Sequence, residues 1–119
     1  MNAKEVLPKF LEIDGCIGSC LVDSNSGMML GASGGGNFNF EIAAAGNTEV
    51  MRAKRKTIKA LNLTDSVEDI LISLGKQYHL LRPLSSNDSL FIYLVLDRNR
   101  ANLGMARYML SQLEKTLTV

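Results

Sequence analysis

Cysteine and histidine are scarce in this chain of 119 residues, which holds two of the first and one of the second. A zinc site of the usual kind gathers four such side chains, so there is little here to build one from. Long apolar runs are missing too. No stretch approaches the roughly 18 consecutive apolar residues that a membrane-spanning helix needs, and the start, "MNAKEVLPKFLEID", lacks the basic beginning and long apolar run of a signal peptide. The expected location is therefore the cytoplasm, with reduced thiols and without membrane insertion. Charge of one sign is not in excess either. Thirteen basic residues against 12 acidic ones leave a net charge of +1, which supplies no whole-molecule field for nucleic acid or an anionic membrane.

What is present is ordinary globular material, 46% hydrophobic and 21% charged, at a length suited to one domain spanning residues 1–119. The two cysteines stand four apart in "GCIGSCLVD". In an extended strand such residues share a face but lie ~13 Å apart at ~3.3 Å per residue, beyond the roughly 7 Å that a disulfide allows. Gly15, Gly18, Leu21 and Val22 favour a strand over a helix. Cys16 and Cys20 are thus read as small packing residues, with a reactive thiol and a metal half-site as the alternatives.

Periodicity supplies the elements. Asn2 and Glu5 form a capping-box pattern ahead of Val6, Leu7, Phe10, Leu11 and Ile13, which predicts a short helix with Pro8 as its weak point. Gly15 to Asp23 and Met28 to Ala32, joined by Asn25-Ser26-Gly27, predict a hairpin. "GASGGG" at 31–36 is read as a flexible connector. It lacks the lysine and Ser/Thr of a P-loop, and no βαβ unit surrounds it.

A long helix is expected from about Phe40 to Leu61. Its second half separates by face, with Val50, Ala53, Thr57, Ala60 and Leu61 on one side, Met51 and Ile58 beside them, and Arg52, Arg55, Lys56 and Lys59 together opposite. These four cations are candidate contacts for a partner, against the plainer reading of a solvated face. Three strands follow, Val67 to Leu74, Tyr78 to Leu84 and Leu90 to Leu96. The last, apolar throughout, is expected at the centre of the sheet with both faces covered, and the first nearer an edge, open to pairing with another chain. His79 is read as structural. A final helix from about Arg100 to Thr116 shows a stripe of Leu103, Ala106, Leu110, Leu113 and Leu117, with Arg107, Gln112 and Glu114 off it. The order α-β-β-α-β-β-β-α predicts an α+β fold, a five-stranded antiparallel sheet between helices.

This order, the hairpin "GCIGSCLVDSNSGMMLG" and "FIYLVLDRNRANLGMAR" between last strand and last helix resemble the Roadblock/dynein light chain family, over nearly the whole chain. Ala101-Asn102-Leu103-Gly104 carries most of the likeness, with Gly104 expected where a small residue permits close packing. The resemblance implies a profilin-like α/β/α sandwich. It also implies a homodimer, or a dimer with a related Roadblock chain, joined edge to edge through the third strand with the second helices side by side. The interface would include Ile42, Ala45, Val67, Asp69, Ile70, Leu71 and Ile72. Bacterial members of the family are commonly paired with a small Ras-like GTPase, whose hydrolysis some stimulate, whereas eukaryotic members serve dynein motors and lysosomal GTPase scaffolds. The implied role is a dimeric adaptor or regulator of such a GTPase, not an enzyme itself, with no catalytic residue, cofactor or metal. Arg52 and Arg55 are available for insertion beside a nucleotide, but neither is assigned as a catalytic finger. The alternative is a small-molecule sensor of profilin-like fold, whose mark would be a large apolar cavity under the glycine loop.

Overall fold

A computed structural model describes all residues, Met1 to Val119. The element order is the expected one: α1 (Ala3–Val6), a 3-10 segment (Leu7–Glu12), β1 (Cys16–Asp23), β2 (Met29–Gly34), α2 (Phe40–Ala60), β3 (Ile70–Ser73), β4 (Gln77–Pro83), β5 (Leu90–Asp97) and α3 (Leu103–Lys115). The five strands form one antiparallel sheet in the order β2-β1-β5-β4-β3. The capping box at Asn2 and Glu5 is present, and Pro8 sits at the start of the 3-10 segment, where its missing N–H costs least. Met1 is held to the end of α3, its ammonium donating to the Thr116 carbonyl at 2.8 Å.

β5 is central, as its unbroken apolar run predicts. Leu90, Ile92, Leu94 and Leu96 pack with α1, the 3-10 segment and α3 on one face, while Phe91, Tyr93 and Val95 pack with α2 on the other. Alternation thus feeds two cores from one strand. The cysteines depart from the equal-face expectation. Cys16 packs toward the α1/α3 core and Cys20 toward the α2 core, because the register of β1 against β5 shifts between Cys16 and Gly18. A bulge of one residue sends later side chains to the opposite face.

The "GASGGG" segment is not all connector. Its first four residues belong to β2, and only Gly35 and Gly36 turn toward α2. Gly34, Gly35 and Gly36 all have positive φ, a conformation that costs glycine nothing. A Cβ on Gly18 would come within 2.7 Å of the Phe40 ring. That ring fills the space under the loop, where a sensor would need its cavity.

The stripe holds at Ala106 and Leu110 in the last helix and at Leu117 just beyond it, all buried, but Glu114 is buried as well. Its carboxylate accepts from the Ser85 backbone N–H at 2.9 Å and from Ser85 Oγ at 2.5 Å, so the charge is paired with donors rather than left to solvent. Arg82 Nε lies 3.5 Å from Glu114 Oε1 without forming a hydrogen bond. Gly104 is exposed, and a Cβ there would meet only Asn102 Oδ1 at 3.6 Å, so the expected close packing at Gly104 is absent.

Candidate functional site: the outer face of the second helix and the third-strand edge

α2 begins at Asn39, whose side chain accepts from the Ile42 N–H at 3.1 Å. Phe40, Ala44, Thr48 and Met51 are buried against the sheet, and the half-buried Arg55 and Ile58 continue that line. Met51 and Ile58 thus turn toward the sheet, and the side they adjoin does not. Val50, Ala53, Thr57, Ala60 and Leu61 face solvent instead, in line with Ile42 one turn into the helix. Ile42 is 71% exposed, Leu61 62% and Val50 37%. Thr48 is tolerated inside because its hydroxyl donates to the Ala44 carbonyl at 2.7 Å.

Beyond α2 the chain runs irregularly until Ile70, so β3 is shorter than the expected Val67 to Leu74. Two side contacts hold the preceding residues off the ladder. Val67 packs on the α2-side core, and Asp69, only 9% exposed, is held in a two-pronged pair by Arg107, Nε to Oδ2 at 3.0 Å and Nη2 to Oδ1 at 2.8 Å. β3 itself is a true edge. It pairs with β4 alone, and Ile70, Leu71 and Ile72 stay half-buried beside an open backbone row. A groove of about 570 Å³, lined by Val50, Lys54, Ile58, Leu61, Leu63, Val67, Ile70 and Leu71 among others, joins the outer face of α2 to this edge. The groove brings Val50 and Leu61 of α2 beside Ile70 and Leu71 of β3, while Ile42 and Ala45 are exposed on α2 outside its lining. Val50, Leu61 and Leu63 line the groove, and sequence reading did not name them for this surface.

The four cations of α2 divide into two kinds. Arg52 donates from Nε to the Ser24 carbonyl at 3.2 Å and from Nη2 to that of Asn25 at 2.6 Å, and it pairs with Glu49 at 2.9 Å. Arg55 donates to Ser24 Oγ at 3.2 Å and to the Asp88 carbonyl at 2.5 Å. Both guanidiniums tie α2 to the β1–β2 turn and the β4–β5 loop. Lys56 and Lys59 are exposed, with no ion pair to either.

The two thiols, His79 and Tyr93 are occupied or suppressed. Burial pushes the Cys16 thiol up to about 11 and the Cys20 thiol up to about 12, where little thiolate exists at neutral pH. His79 lies between Gln77 Oε1 at 2.8 Å and Tyr93 Oη at 2.9 Å. The glutamine oxygen only accepts, so Nε2 carries the proton and Nδ1 accepts from the tyrosine. Burial lowers the His79 pKa and, acting on the phenol, raises that of Tyr93 to about 12. No three histidine, cysteine, aspartate or glutamate side chains meet in a metal-binding group, and no helix is long and apolar enough to cross a membrane.

No protein-family model and no curated protein matches the chain. Solved structures do. The chain superposes on the Roadblock/LC7 domain from Streptomyces avermitilis with a TM-score of 0.83 at 10% identity, covering 98% of this chain and 94% of that one. Against MglB of Myxococcus xanthus the TM-score is 0.81 at 15% identity, over 92% and 86% of the two chains. The gliding protein MglB from Thermus thermophilus gives 0.71 at 18%, over 96% and 89%. Identities this low speak for the fold alone, and the fold is that of a Roadblock domain.

Proposed function

We propose that this Roadblock-fold chain, acting as one domain over residues 1–119, is a dimeric cytoplasmic adaptor or regulator of a small Ras-like GTPase and is not itself an enzyme. The observation that carries the reading is the uncovered surface running from Ile42 and Val50 on α2, through the groove, to the β3 edge. An apolar helix face beside an unpaired strand is what a two-fold partner completes, offering the same surface in return. Pairing of β3 with its copy would satisfy the open backbone row and cover Ile70, Leu71 and Ile72, while Ile42 and Ala45 would meet the second α2. Val67 flanks the contact. Asp69 takes part through its backbone, its carboxylate being held by Arg107.

The GTPase contact is assigned to the basic side of α2. Lys56 and Lys59 offer free charge to an acidic surface, and Arg52 and Arg55 shape the adjoining loops. An arginine inserted beside the transferred phosphoryl group neutralises transition-state charge. Here such insertion would first break three guanidinium hydrogen bonds of Arg52 or two of Arg55, which favours a scaffold, or a regulator that repositions the GTPase's own groups. No cofactor, nucleic acid or membrane insertion enters this reading.

Two measurements test it separately. By sedimentation the chain is expected to be a dimer, and Ile42→Asp is expected to weaken association by about 2 kcal/mol or more, as for a central interface residue. Unchanged association would remove this surface as the interface. Pull-downs with GDP and with a non-hydrolysable GTP analogue are expected to recover a small GTPase in a nucleotide-dependent way, lost in the Lys56→Glu/Lys59→Glu variant. Failure there, with dimerisation intact, would remove the GTPase and leave the dimer.

A further inference from the structure

The sheet has a second open edge, β2, on the side away from β3. Apart from its ladder with β1, no backbone hydrogen bond involves Leu30 to Gly34, so the outer row of β2 is unpaired. Edge strands are ordinarily blunted by charge or proline. The run from Met28 to Gly34, "MMLGASG", has neither, and Met28 and Leu30 are 63% and 51% exposed. Beside the edge lies a groove of about 540 Å³ between β2 and the N-terminal segment, with Leu7, Pro8, Leu30 and Ala32 in its lining and Lys4 as its one charged residue.

We propose that β2 is a docking edge for an extended segment of a partner protein, an added strand that lays an apolar side chain into this groove and sets a carboxylate against Lys4. Main-chain hydrogen bonds to the β2 row would supply affinity, and the groove and Lys4 would select the sequence. Charge decides between occupants. The β2 run of a second copy carries no carboxylate, so strand-to-strand pairing of two copies would supply none from the added strand. An acidic, apolar strand satisfies both features. The site lies apart from the α2 and β3 surface, so it stands or falls independently of the dimer.

The probe is a phage-displayed library of linear peptides selected on the full chain. The best binders are then measured by fluorescence polarisation against wild type, Leu30→Lys, Lys4→Glu and Ile42→Asp, and by amide exchange. Binders are expected to alternate apolar residues with at least one aspartate or glutamate, and to slow exchange in β2. Their affinity should fall about tenfold or more in Leu30→Lys, which places a charge on the edge, and about threefold or more in Lys4→Glu, corresponding to roughly 0.7 kcal/mol. Ile42→Asp should leave it unchanged. Leu30 is exposed, so its variant should keep the wild-type circular dichroism, and Lys4→Glu tests the site without touching the sheet. Absence of binders would overturn the proposal, as would binders sensitive only to Ile42→Asp. So would a sedimentation result in which Leu30→Lys breaks up a larger assembly of the chain, which would give the edge to a second copy.

Discussion

The two layers that cover the sheet are fastened by different means. On the α1/α3 side a cluster of 14 buried residues, all apolar, closes the core from both ends of the chain. On the α2 side the cluster has 9, and polar links supplement it: two arginines bonded to loop carbonyls, Thr48 bonded to its own helix, and the His79–Tyr93 pair. The sparer layer also carries the apolar outer face. A helix that turns Phe40, Ala44, Thr48 and Met51 inward and keeps Ile42, Val50 and Leu61 outward is arranged for two neighbours, the sheet on one side and another molecule on the other.

The contrast breaks most sharply at Glu114, the one charge inside the apolar layer. Glu114→Ala strands the Ser85 donors and leaves Arg82 without its nearby carboxylate, and is expected to cost about 3–5 kcal/mol in urea unfolding. Glu114→Gln keeps an acceptor and should recover part of that. A cost near zero would mean that this layer needs no polar anchor. The polar fastening of α2 is tested by Arg55→Met, expected to lose about 1–2 kcal/mol with its hydrogen bonds, against Lys56→Met within about 0.5 kcal/mol on the same helix. Equal effects would dissolve the distinction between the two kinds of cation.

The mildest test is pH. His79 has a folded pKa below the ordinary 6.5, so the unfolded chain binds its proton first as pH falls. The associated stability is complete above about 6.5 and is lost as pH drops toward the folded value. In His79→Gln this slope should be absent between about pH 6.5 and 5, above the range where carboxylates titrate. An unchanged slope would move its origin elsewhere.

Legibility in the sequence followed the same division. β5 could be placed at the centre because apolar residues on both faces leave no other position for it, and α3 could be oriented by Ala106, Leu110 and Leu117. Glu114 escaped because its donors come from Ser85, far away in the chain. The inner face of α2 could not be named in its second half for a physical reason: Val50 and Leu61 are apolar yet exposed, while Thr48 and Arg55 disguise the true inner face. The open third-strand edge was foreseen, its length was not, since the Asp69–Arg107 pair that delays the strand joins residues no local pattern connects.

The central position of β5 also sets the order in which the fold can close. Cys20 lies opposite Tyr93, so the middle of the sheet waits for a strand some seventy residues further along the chain. Until β5 arrives, the β1–β2 and β3–β4 hairpins are separate ribbons, each with the inner edge that β5 will pair still open. Distant partners of this kind slow folding, and unpaired edges expose the intermediate to aggregation. Insertion of the last strand zips both hairpins at once, which makes the single step that completes the sheet the one on which a nascent chain most needs protection.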